Sequence, residues 1–70
     1  MTYSEARSTL KQNLAHLYST DEILQILSLL IDVPRTKLTL QKETLLEEIQ
    51  KELVVQAIPQ LLSGKPIQYI

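Results

Sequence analysis

The apolar positions of this chain fall into blocks with helical spacing. Tyr3, Ala6, Leu10, Leu14 and Leu17 recur at steps of three and four, while Arg7, Lys11, Gln12 and Asn13 lie off that stripe. This pattern predicts an amphipathic helix over about residues 3–17. The stretch Thr2-Tyr3-Ser4-Glu5 in front of it has the form of a capping box, in which Thr2 and Glu5 exchange hydrogen bonds with each other's backbone amides. Ser19-Thr20-Asp21-Glu22 repeats the signature and places negative charge where a helix dipole favours it. Ile23, Leu24, Ile26, Leu27, Leu30 and Ile31 then make a wider arc, which predicts the most buried helix of the fold. It should end near Asp32, because Pro34 disfavours α geometry at Val33.

Pro34 can open a short helical turn that runs to Leu40, with Leu38 and Leu40 as anchors. The alternation Lys37-Leu38-Thr39-Leu40 also fits a strand, but a lone strand among helices has nothing to pair with. A long helical segment is predicted from about Gln41 to Leu62. Its stripe is Leu46, Ile49, Leu53, Ala57 and Leu61, widened by Leu45, Val54 and Ile58, and Glu47 stands four residues before Lys51. Pro59 removes the hydrogen bond to the Val55 carbonyl, which predicts a kink or short break near 57–59. Gly64 suits a left-handed position just past the helix, and Pro66 prevents its resumption. The expected architecture is all-α: a bundle of four to five helices over 1–63, with an extended tail over 64–70.

Size and charge narrow the picture. Seventy residues allow one domain, near the lower limit for folding without covalent or metal staples, and there are no cysteines to supply any. Seven basic residues against eight acidic ones give a formal charge of -1 with no basic stripe, which disfavours nucleic acid or an anionic membrane as the main partner. No apolar run is longer than that of Leu29-Leu30-Ile31, which is far too short to span a bilayer. Met1 is followed by polar residues rather than a signal-peptide core, so a cytoplasmic setting is expected.

Candidate chemistry is sparse. His16 is the single histidine and has no carboxylate beside it in sequence, so a metal site is not expected. Glu43, Glu47, Glu48 and Glu52 read as a solvated face of the last helix rather than an acid–base pair. One glycine cannot build a phosphate-cradling loop. No catalytic, cofactor-binding or metal-ligating residue is therefore expected. The tail is different: Ile67, Tyr69 and Ile70 alternate around Gln68 like the opening of a strand that lacks a partner.

At these residues the chain resembles a known family. Gly64-Lys65-Pro66-Ile67-Gln68-Tyr69-Ile70 is similar to the Gly-Glu-Pro-(Leu/Ile)-Gln-Tyr-Ile stretch that closes the N-terminal helical domain of HemK-type release factor glutamine methyltransferases, with Lys65 where glutamate is usual. Upstream, Asp21-Glu22, Leu27, Leu30, Arg35 and Leu38 match that domain's Glu-Ala-x-x-Leu-Leu and Gly-x-x-Arg-x-x-Leu pattern. Gln60-Leu61-Leu62-Ser63 departs from the one or two arginines usual before the stop. The resemblance implies a domain that helps hold a peptide chain release factor. Methyl transfer from S-adenosylmethionine to the glutamine of the Gly-Gly-Gln motif is implied to belong to a separate C-terminal catalytic domain, with no cofactor in the present stretch. It further implies that Gly64, Pro66, Ile67, Tyr69 and Ile70 form the junction to that domain, as the start of a linker hairpin. Arg35 and Lys37, beside the short third helix, are the candidate partner contacts.

Two other readings compete. One is a free-standing helical module that dimerises through apolar surface such as Leu24, Val55 or Leu62. The other is a helix-turn-helix regulator built around Val33–Leu40, which the near-zero charge disfavours.

Overall fold

A computed structural model describes residues 1–65 and contains four helices: α1 (Tyr3–Leu14), α2 (Thr20–Ile31), α3 (Arg35–Leu40) and α4 (Glu48–Leu62). Helices α1, α2 and α4 pack on one another, and α3 leans on α2. The core they share is apolar throughout; Leu10, Leu14, Ile23, Leu27, Val54 and Leu61 are its largest fully buried side chains. Among the described residues no polar side chain is buried and no strand is formed.

Both predicted capping boxes are present. The Thr2 amide donates to Glu5 Oε1 at 2.9 Å and the Glu5 amide to Thr2 Oγ1 at 3.1 Å. Ser19 and Glu22 make the same exchange at 2.9 and 3.2 Å. Each box satisfies amides that the first helical turn leaves without partners. The end of α2 is a compact knot around Ser28. Asp32 adopts a left-handed φ of 55°, and the Ser28 carbonyl accepts from both the Asp32 and the Val33 amides. The Ser28 hydroxyl donates to the Val33 carbonyl at 2.7 Å. The chain is turned so that Pro34 precedes α3, which is a helix rather than a strand.

Three expectations are corrected. Helix α1 stops at Leu14, not near 17: the Leu17 and Tyr18 amides both donate to the Leu14 carbonyl, a tight terminal turn that leaves Leu17 exposed. The final helix starts at Glu48, not at Gln41. The reason is a long-range hydrogen-bond exchange. The Tyr3 amide donates to the Thr44 carbonyl at 2.9 Å, the Ser4 amide to the Lys42 carbonyl at 3.0 Å, and the Leu46 amide to the Met1 carbonyl at 2.8 Å. An isolated antiparallel bridge joins Thr2 and Leu45. Carbonyls 42 and 44 thus serve the orphan amides of α1, and a helix over 41–47 would withdraw them into its own ladder. Finally, of the kink or short break expected near 57–59, the break does not form; α4 continues through Pro59 to Leu62.

The buried side of α4 also differs from the expected stripe. Val54, Ala57 and Leu61 enter the core, whereas Ile49 and Leu53, expected in the stripe, stay exposed. Gln50 fixes this phase. Its Nε2 donates to the Ile31 carbonyl at the end of α2 at 3.1 Å, and its Oε1 accepts from the Glu47 amide at 2.9 Å.

Candidate functional site

Gly64 is the one junction residue within the described part. It takes φ 87°, and a Cβ built there meets nothing within 4 Å. Backbone conformation, not space, therefore demands glycine. Its amide donates to the Leu61 carbonyl and the Lys65 amide to the Gln60 carbonyl, both at 3.1 Å. These are the two bonds of a Schellman motif, so the chain leaves α4 in a defined direction. Pro66, Ile67, Tyr69 and Ile70, with the linker hairpin expected over 64–70, lie outside the described residues beyond Lys65.

Arg35 and Lys37 both project from α3 into solvent. The Arg35 guanidinium stands 3.5 Å from Asp21 Oδ1 in the first turn of α2, with side chains 46% and 91% exposed. At that exposure such a pair contributes about 0–1 kcal/mol, enough to orient Arg35 and too little to hold α3 in place. Leu38 does the anchoring, as the single buried side chain of α3.

The spare apolar surface extends beyond the residues expected. Leu24 is buried, while Val55 and Leu62 are exposed as foreseen. Among the described residues the most exposed large hydrophobic ones are Leu40 at 82%, Leu45 at 68% and Ile49 at 60%. Leu40 borders two shallow depressions. One, between α2 and α3, is lined by Leu24, Arg35, Thr36, Thr39 and Leu40. The other, over the α3–α4 connection, shares Thr39 and Leu40 and continues along Gln41–Thr44. Exposure of Leu45, Ile49 and Leu53 had a numerical signal: α4 and its approach carry more apolar residues than one stripe can bury.

Among the described residues no group of three His, Cys, Asp or Glu side chains comes together to hold a metal. His16 is exposed, and Glu43, Glu47, Glu48 and Glu52 are spread over the connection and the outer face of α4. The carboxyls of Glu5 and Glu22 are held below the usual glutamate range, first by the amides and then by the hydroxyls of Thr2 and Ser19. Both are helix caps. No described helix is long and apolar enough to cross a membrane.

Searches of the curated proteins and of the solved structures return no match. A family match does cover residues 2–70, described as the PrmC N-terminal domain. The chain thus belongs to the PrmC N-terminal domain family, the N-terminal domain of release factor glutamine methyltransferases.

Proposed function

We propose that this domain recognises a peptide chain release factor on behalf of a C-terminal methyltransferase domain and performs no chemistry itself. The observation that carries the reading is the family match over residues 2–70. In this reading the catalytic domain binds S-adenosylmethionine, which supplies the methyl group for the glutamine of the Gly-Gly-Gln motif. Gly64 and its Schellman bonds set the angle at which the bundle meets that domain.

The physical logic is one of positioning. A glutamine amide nitrogen is a poor nucleophile, so rate depends on how well it is oriented. Contacts made far from the reacting atoms add binding energy that can be used to hold the substrate in a reactive pose. A compact bundle with exposed Leu40, Arg35 and Lys37 can offer such remote contacts.

The test is to delete the domain from an enzyme that carries it and to compare two substrates. Methylation of an intact release factor should fall about tenfold more than that of a short Gly-Gly-Gln peptide, equivalent to ~1.4 kcal/mol of remote binding. Equal losses on both substrates would overturn the docking role.

A further inference from the structure

We infer that the exposed face of α3, centred on Leu40 and rimmed by Arg35, Lys37 and Lys42, docks an acidic, apolar-studded segment of the partner protein. This rests on the release-factor reading above and deepens it by naming a surface and the chemistry it fits. Four observations carry it.

First, α3 does little for the core. It buries only Leu38 and yet holds its helical form against α2. Second, Leu40 is the most exposed large hydrophobic side chain described, and it borders two shallow, open depressions. One exposed leucine is ordinary on a protein surface; Leu40 counts here because the basic side chains of the same segment stand around it. Third, the segment 35–42 contains three basic residues and no acidic one. Lys37 lies three residues before Leu40, on the same helix face, and Lys42 lines the depression on its far side. Asp21 offsets Arg35 in part, and Glu43 lines the same depression as Lys42, so the cationic excess of the face rests chiefly on Lys37; no ion pair involving Lys37 or Lys42 occurs among the described residues.

Fourth, the neighbouring surface has the opposite sign. Glu47, Glu48 and Glu52 outnumber the exposed Lys51 among them at the start of α4, beside exposed Ile49 and Leu53. An acidic ligand is therefore attracted to α3 and repelled from α4, which sets its register on the domain. Nucleic acid fits less well: three cations around an apolar centre neutralise few phosphates and leave Leu40 without a use.

The experiment is a binding titration of the chain with an intact release factor, by calorimetry or fluorescence anisotropy, at low and high salt. The native chain should bind, and binding should weaken as salt rises. Lys37→Glu with Lys42→Glu should weaken it about tenfold and remove most of its salt dependence. Leu40→Ser should weaken it about fivefold with the salt dependence intact. Glu48→Lys with Glu52→Lys, in the acidic first turns of α4, should leave affinity unchanged or raise it. All five positions are exposed, and circular dichroism confirms that each variant is folded before it is titrated. If the native chain binds and the α3 variants bind equally well, the inference falls while the release-factor reading stands. Absence of binding by the native chain overturns both. Self-association of the chain or binding of an RNA oligonucleotide that the same α3 variants abolish would assign the face to another occupant and overturn the inference.

Discussion

Helices α2 and α4 are both rich in apolar side chains and use them differently. In twelve residues α2 buries Ile23, Leu24, Ile26, Leu27 and Ile31; in fifteen, α4 buries only Val54, Ala57 and Leu61. The cause is the number of neighbours. α2 is packed by α1, α3 and α4, whereas α4 has α1 and α2 on one side and solvent on the other. Its apolar arc is wider than the face it buries, so Ile49 and Leu53 emerge on one flank and Val55 and Leu62 on the other. An apolar stripe thus reports what a helix is able to bury, while the neighbours decide what it does bury.

The sharpest way to break this contrast is a pair of truncations. Leu27→Ala, at a fully buried position of α2, should cost about 3–4 kcal/mol in chemical denaturation, through lost transfer energy and the cavity left behind. In so small a domain that is a large part of the total stability. Ile49→Ala, on the exposed flank of α4, should change stability by less than about 0.5 kcal/mol. A comparable loss at both positions would mean that something covers the α4 flank in solution.

A smaller effect is expected where the two helices are stitched together. Gln50→Ala removes the donor to the Ile31 carbonyl and the acceptor for the Glu47 amide at once. The partly buried site should lose about 1–2 kcal/mol, measured as a lower denaturation midpoint. A neutral result would show that water replaces both bonds and that Gln50 does not set the phase of α4.

The smallest effect is acid sensitivity at the other ends of the bundle. The carboxylates of Glu5 and Glu22 are stabilised in the folded chain by cap donors, which lowers their pKa values there. The unfolded chain then binds protons more readily than the folded one. Their contribution is present above the ordinary glutamate pKa of about 4.3 and is lost as pH falls below it. Thermal melts of the native chain should show this decline, and Glu5→Gln with Glu22→Gln should flatten it while keeping a side-chain acceptor at each cap. An unchanged acid limb in the double variant would assign the decline to other carboxylates.

Much of the fold was legible because its signals are local. The starts of α1 and α2 followed from Thr2–Glu5 and Ser19–Glu22, bonds that span three residues. The left-handed turn at Gly64 followed from one residue type after an apolar run. The strand alternative for Leu38–Leu40 was set aside for want of a partner, and α3 is helical. Other features were out of reach. Asp32 in a left-handed conformation carries no glycine signal, and the capping role of Gln50 depends on the end of a helix nineteen residues away. The surface around Leu40 was hidden for a related reason: Leu38 and Leu40 look alike in sequence, and only the placement of α2 buries one and exposes the other.

The amino-acid sequence by itself determined that this protein is helical, where its first two helices begin and where the last one stops, because those decisions are made by hydrogen bonds and side-chain periodicity within a few residues. Tertiary structure decided where α4 begins and which of its faces meets the core. The carbonyls of Lys42 and Thr44 had a choice between their own helix and the unsatisfied amides of Tyr3 and Ser4, some forty residues back in the chain, and only the folded arrangement brings the second option within hydrogen-bond reach.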